Sequence, residues 1–137
     1  MIGKLISFQE HGDDRGMLVS LENNKEIPFT IKRVYFLFGT KPGVRRGFHA
    51  HKKLQQLLVC VSGQCSILLD NGVDKEIVNP SKPTVGLFLN NDVWREMFDF
   101  SDDAVLLVLA SEVYDESDYI RDYEQFLEYV KTRRKNK

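Results

Sequence analysis

His49 and His51 stand two apart in the run Arg46-Gly47-Phe48-His49-Ala50-His51, and two imidazoles at that spacing on an extended strand share one face. Turned into a pocket, they supply two groups that titrate near neutrality and can take up a weakly acidic proton. Gln56 follows five residues after His51, and Arg95 closes the stretch Asn90-Asn91-Asp92-Val93-Trp94-Arg95. A neutral amide binds a divalent cation poorly. A guanidinium has no lone pair and keeps its charge, so it repels a metal and suits a phosphate or a developing oxyanion instead. Further cations crowd the same strands: Arg33, Arg45, Arg46, Lys52 and Lys53, with Arg15 able to join from an early strand. Arg46 and Arg95 are assigned to the pocket, and Arg45, Lys52 and Lys53 to the outer surface. An anionic substrate, most simply a diphosphate, fits such a mouth. Tyr35 shares a strand face with Arg33 and Leu37, where it serves as a proton donor, as a stacking platform or simply as core. Trp94 is read as core and His11 as solvated.

These side chains need a barrel to bring them together. Apolar, β-branched and aromatic runs fall at residues 4–8, 17–21, 31–38, 47–51, 56–61, 64–69, 76–78, 84–89, 93–98 and 104–111, with turn-formers between them. Asp70-Asn71-Gly72 is a hairpin signal. Short strands at this even spacing predict an all-β sandwich or barrel rather than a crossover fold. From Ser117 the period changes: Ser117 and Asp118 can cap a helix, and Tyr119, Ile120, Tyr123, Phe126, Leu127 and Val130 recur at helical spacing. One helix is therefore expected over about 117–131, laid on the barrel's outside, with Tyr119 and Arg121 near a mouth.

The 137 residues make one domain, 1–137, large enough for a core without staples. Hydrophobic content of 42% and charge of 28% are ordinary, and the net charge of −1 hides a basic tail, Lys131–Lys137. Without interleaved aromatics that tail reads as a solvated terminus, not a nucleic-acid arm. No apolar run approaches the ~20 residues of a membrane span. Polar residues at positions 9–14 come too early for a secretory leader, so the cytoplasm is the expected compartment. Cys60 and Cys65 flank Gly63 and read as small buried apolar residues.

His-x-His, four residues, a fifth position at Gln56, six residues and Gly63 resembles the first motif of the cupins, with Gln56 in the place of the metal-binding Glu and Arg95 in that of the third His. Pro42-Gly43-Val44-Arg45-Arg46-Gly47-Phe48-His49 is similar to the matching stretch of the nucleotide-sugar 3,5-epimerases, which are metal-free cupins. Closer still is the resemblance to the dTDP-4-keto-6-deoxyglucose 3,4-ketoisomerases. It runs through Ile31–Tyr35, Arg46–Leu54, Val93–Met97, Val108–Ser111 and Tyr114–Tyr123. The resemblance implies a cupin jelly-roll barrel, a homodimer with an exchanged N-terminal strand, and no metal or other cofactor. It implies a dTDP-linked 4-keto-6-deoxyhexose as substrate, isomerised to the 3-keto sugar ahead of amination to a 3-amino-3,6-dideoxyhexose. His49 and His51 carry over as catalytic residues and Arg46 as the diphosphate contact. Tyr35, Arg95, Arg15, Arg33 and Gln56 complete the substrate-binding set. The proton on carbon 3 is acidified by the 4-keto group, and either histidine can remove it to give an enediol, with Arg95 or the other histidine as donor. Arg15-Gly16 is similar to the galacto-product branch and Arg95 to the gluco branch; the galacto product is favoured. The rival readings are a 3,5-epimerase, a sugar-binding cupin without turnover, and a metal-dependent cupin dioxygenase, against which Gln56 and Arg95 argue.

Overall fold

The structure is a computed structural model and describes residues 1–135. Among these, strands β1 (Lys4–Ser7), β2 (Glu10–Asp13), β3 (Gly16–Val19), β4 (Arg33–Phe38), β5 (Arg46–His51) and β6 (Gln56–Ser62) form the first half. Strands β7 (Ser66–Asp70), β8 (Lys75–Val78), β9 (Val85–Leu89), β10 (Trp94–Phe98), β11 (Val105–Ala110) and β12 (Tyr119–Ile120) follow, and helix α1 (Tyr123–Lys135) ends the described chain. Two five-stranded antiparallel sheets, ordered β1-β9-β6-β11-β4 and β12-β5-β10-β7-β8, face each other as a jelly roll, and β2–β3 stands apart as a hairpin.

Period-two alternation sorts the side chains into three layers. Leu58 and Cys60 on β6, Ile67 and Leu69 on β7, Leu87 and Leu89 on β9, and Leu106 and Val108 on β11 fill the space between the sheets. Leu57 and Val59, on the opposite face of β6, are covered by Phe8, Ile27 and Phe29 from the N-terminal segment. Ala50 on the outer face of β5 and Trp94 on β10 receive Ile120, Phe126 and Val130. Burying Phe126 and Val130 stabilises the docked helix by about 1.5–3 kcal/mol per side chain. Cys60 and Cys65 are free and buried, as small apolar residues would be.

The C-terminal region departs from the expected helix over 117–131. Asp115 caps a short 3-10 turn at Glu116–Asp118, Tyr119–Ile120 is a strand paired with His51 and Ala50, and the helix begins only at Tyr123. Asp122 is its cap: its carboxylate accepts the Gln125 N–H at 3.0 Å and its carbonyl the Phe126 N–H at 2.9 Å. Tyr119 and Ile120 fit the helical stripe numerically, but extended pairing with β5 buries Ile120 while holding Tyr119 on the barrel's inner side. The expected basic tail continues α1 as far as Lys135; Asn136 and Lys137 lie outside the described residues. A second departure is β2, which falls between the predicted runs 4–8 and 17–21 and pairs with β3 from Glu10↔Val19 to Asp13↔Gly16.

Candidate active site

One local distortion aims the two histidines. Between the pairs His49↔Arg95 and Gly47↔Glu96 the β5–β10 register shifts, a β-bulge with Gly47 at φ 92° and Phe48 at φ 58°. A Cβ on Gly47 would stand 2.9 Å from the Arg95 carbonyl oxygen, so glycine is required there. The bulge throws Phe48 outward and leaves His49 and His51 facing inward, their ring centroids 4.9 Å apart.

Around them the barrel end is polar and nearly dry. His51 is fully buried and Arg95 is 1% exposed. Arg95 donates from Nη1 to Gln56 Oε1 and from Nη2 to the Val93 carbonyl at 2.9 Å. Gln56 in turn donates from Nε2 to the Tyr35 hydroxyl oxygen at 2.9 Å. That chain fixes directions: Tyr35 accepts from Gln56, so its own O–H is left to donate, polarised by the guanidinium two links away. Burial raises the Tyr35 hydroxyl's pKa, which keeps it a donor at neutral pH.

The histidines are neutral bases. Burial first, and the neighbouring Arg95 second, push His49 down to about 4 and His51 to about 2. His49 Nδ1 lies 3.1 Å from the Gly47 carbonyl oxygen, and His51 Nδ1 lies 3.0 Å from Asp118 Oδ2. Each contact calls for a proton on Nδ1 and leaves the Nε2 lone pair for chemistry. Asp118 is itself fixed by the backbone N–H groups of Lys53, at 2.8 Å, and Leu54, at 3.4 Å. Its negative charge favours the imidazolium that proton uptake would create. Arg95 is lowered by burial to about 10 and stays charged at neutral pH.

Above this floor opens a pocket of about 380 Å³, lined by Arg33, Tyr35, Arg46, His49, Tyr114, Tyr119 and Arg121 among others. Tyr119 packs its ring 4.4 Å from that of His51 and 5.1 Å from that of His49. Arg121 lies 4.2 Å over Tyr119 and is held by Glu116 at 2.6 Å. Buried nitrogens without a hydrogen-bond partner gather here: His51 Nε2, Arg95 Nε, and Arg33 Nε and Nη2. A buried donor or acceptor left unmade costs about 1–3 kcal/mol, and such a cluster marks where a ligand supplies the partners.

Of the residues singled out from the sequence, His49, His51, Tyr35, Arg95, Gln56, Arg33 and Arg46 meet at this one end of the barrel. Arg15 does not. It sits on the exposed β2–β3 hairpin, its side chain 87% exposed and paired with Asp13 at 2.6 Å, so it takes no part in its own chain's pocket. Arg45 bonds Glu96 at 2.7 Å and covers Phe98 on the outside, as expected. Sequence reasoning missed Asp118 as a histidine partner and assigned Tyr114 no place. The only signal was the density of Tyr, Asp and Arg from Tyr114 to Arg121.

A jelly roll with a His-x-His strand at one end is the cupin class of barrel. The residues present do not fit the metal that class often holds: Arg95 puts a cation, and Gln56 an amide already bonded to Arg95 and Tyr35, where ligands would stand. Among the described residues no group of three or more His, Cys, Asp or Glu is placed to hold a metal ion. Residues 1–131 match the family described as FdtA: WxcM-like, C-terminal. The chain is 52% identical over 130 residues to the TDP-4-oxo-6-deoxy-α-D-glucose-3,4-oxoisomerase of Aneurinibacillus thermoaerophilus, covering 95% of this chain and 94% of that one. A 3,4-ketoisomerase from Helicobacter canadensis superposes with a TM-score of 0.93 at 48% identity, over 96% of this chain and 98% of its own. QdtA, a sugar 3,4-ketoisomerase from Thermoanaerobacterium thermosaccharolyticum in complex with TDP, gives 0.94 at 45% identity over 96% of each. The chain belongs to the FdtA family of sugar 3,4-ketoisomerases and is an isomerase.

Proposed function

We propose that this enzyme converts dTDP-4-keto-6-deoxyglucose to the dTDP-3-keto-6-deoxyhexose by moving a proton from carbon 3 to carbon 4, with His51 as the base. The observation that carries this reading is the His51 imidazole, neutral and fully buried, with Nδ1 committed to Asp118 and Nε2 unpartnered. His51 Nε2 takes the carbon-3 proton, and the electrons of that bond form the carbon–carbon double bond while the carbonyl π electrons pass to the oxygen on carbon 4. Imidazolium and enediolate arise together, so the low basicity of an isolated buried imidazole is offset by the anion beside it. The Arg95 Nε–H and the Tyr35 O–H are the donors for that oxygen. The hydroxyl proton then moves from the oxygen on carbon 3 to the oxygen on carbon 4. Return of a proton to carbon 4, from His51 or His49, leaves the ketone at carbon 3. A histidine-to-asparagine mutant of QdtA in complex with TDP-4-keto-6-deoxyglucose supports a histidine in the proton transfer.

The galacto configuration at carbon 4 is proposed on the Arg15-Gly16 resemblance. For Arg15 to act it must reach the pocket of a second copy, because its own hairpin is exposed and β1 is paired with β9 of the same chain. A homodimer exchanging that hairpin, which also exposes Met17 and Leu18, is therefore part of the proposal. A 3-keto sugar is the substrate a transaminase needs to install an amine at carbon 3, which places this step before amination. The proposed setting is the cytoplasm; among the described residues no helix is long and apolar enough to cross a membrane.

The test is NMR of chelator-treated protein with dTDP-4-keto-6-deoxyglucose in deuterated water. The expected product is the 3-keto sugar, its coupling constants reporting the carbon-4 epimer. Deuterium at carbon 5 as well as carbon 3 would mark an epimerase instead. Binding of TDP with no exchange at all would mark a sugar-binding module.

A further inference from the structure

We infer that Leu37 and Met97 form the seat for carbon 6 of the sugar and select a 6-deoxyhexose over its 6-hydroxy counterpart, an inference that rests on the nucleotide-sugar reading above. Both side chains line the pocket, yet both are buried and belong to the apolar core between the sheets. Each stands two residues beyond a group placed at the reacting atoms: Leu37 follows Tyr35 on β4, and Met97 follows Arg95 on β10. A period of two puts each pair on one inward face, so the polar wall of the pocket passes directly into an apolar one. Gly47, two before His49 on β5, also lines the pocket and brings no side chain to it. Met97 Cε lies 3.2 Å from where a Gly47 Cβ would stand, so the methionine's methyl occupies the space the glycine leaves.

The order of residues along the strands matches the order of carbons in the sugar. His51, the base for the proton on carbon 3, ends β5. His49 and its pair Arg95 come next, with Tyr35 on the facing sheet, where the oxygen on carbon 4 is received. Met97 and Leu37 form the row after that. Two residues of strand advance about 6.6 Å, which is the scale of a hexose ring. Carbon 5 is bonded to carbon 4 on the side away from carbon 3, so its substituent, carbon 6, falls on this last row. Leu37 and Met97 offer carbon–hydrogen surface and a thioether, and neither donates a hydrogen bond. A methyl group finds full contact there, whereas a hydroxyl would be buried without a partner. An apolar seat rejects an added hydroxyl by about 100-fold at most.

The test uses TDP-6-deoxyglucose and TDP-glucose, which differ only in that hydroxyl and carry no ketone to react. Calorimetry on the wild-type protein is expected to show the 6-deoxy sugar bound about 10- to 100-fold more tightly. Equal affinities, or a preference for TDP-glucose, would overturn the seat and leave the nucleotide-sugar reading standing; binding of neither would overturn both. Leu37→Asn supplies a polar partner and should cut the preference at least about fivefold, while Met97→Leu keeps it. An unchanged preference in a folded Leu37→Asn protein would overturn the assignment. A readout independent of how the variant folds comes from unmodified protein labelled at its methionine methyl groups. The Met97 methyl, one of three to be told apart, should show a nuclear Overhauser contact with the C6 methyl of bound TDP-6-deoxyglucose. Bound ligand without that contact refutes the seat.

Discussion

Replacing Asp118 tests the mechanism at its most specific point. The carboxylate accepts from His51 Nδ1 at 3.0 Å through Oδ2, and from the Lys53 N–H at 2.8 Å through Oδ1. In Asp118→Ala the imidazolium loses a charged hydrogen bond worth about 1.5–3 kcal/mol, which is roughly a 10- to 150-fold fall in kcat. Asp118→Asn should do worse. Its single oxygen stays on the Lys53 N–H, which turns the amide NH2 towards His51 Nδ1. Nδ1 then becomes the acceptor, the ring proton moves to Nε2, and the base is lost. The equivalent tautomer trap in the serine-protease triad costs about 10⁴-fold, and a loss of that order is expected. KM should change little, because Asp118 acts through His51 and does not line the pocket. The assay is turnover and loss of the carbon-3 proton signal in deuterated water, with thermal melting to confirm folding. A folded Asp118→Asn protein that turns over within a few-fold of wild type, or one less impaired than Asp118→Ala, would refute the argument.

Acid should unfold this protein through its buried histidines. His49 and His51 fall from 6.5 to about 4 and about 2 on folding, so below pH 6.5 the unfolded chain binds protons that the folded chain refuses. Stability is thus intact above pH 6.5 and falls as pH drops towards 4, by about 1.4 kcal/mol per pH unit for each histidine. Urea midpoints measured from pH 7.5 to 4.5 should show this slope, and His49→Asn should remove part of it; a flat profile would contradict neutral burial. Chelators should leave turnover unchanged, since Gln56 and Arg95 stand where metal ligands would; activity lost to a chelator and restored by zinc or iron would overturn that. Gly47→Ala forces a Cβ against the Arg95 carbonyl in a left-handed backbone conformation, and should cost about 1–3 kcal/mol in thermal melts along with much of kcat as His49 is displaced.

The strands and their inner faces were largely legible from alternation: positions 33, 35 and 37 on β4, or 49 and 51 on β5, share a face whatever the barrel's details. The Asp70-Asn71-Gly72 turn, where Gly72 takes φ 91°, could be read the same way. The segment from Ser117 to Ile120 could not. Its apolar spacing fits a helix, but Ser117 and Asp118 close a 3-10 turn, and only pairing with β5, some 70 residues away in sequence, makes Tyr119–Ile120 extended and delivers Asp118 to His51. The place of Arg15, on an exposed hairpin away from its own chain's pocket, was not legible for the converse reason: nothing in a local pattern tells whether a hairpin folds back over its own barrel or stands away from it.

By itself, then, the sequence determined the chemical inventory: two imidazoles on one face, an amide and a guanidinium where metal ligands could stand, and cations around a mouth. Residue type and a period of two are local properties, readable without a fold. Only the tertiary structure decided the protonation, tautomer and partner of each group. Those depend on how much water every neighbouring strand excludes and on which carboxylate or carbonyl the packing brings within 3 Å or so, as Asp118 is brought to His51.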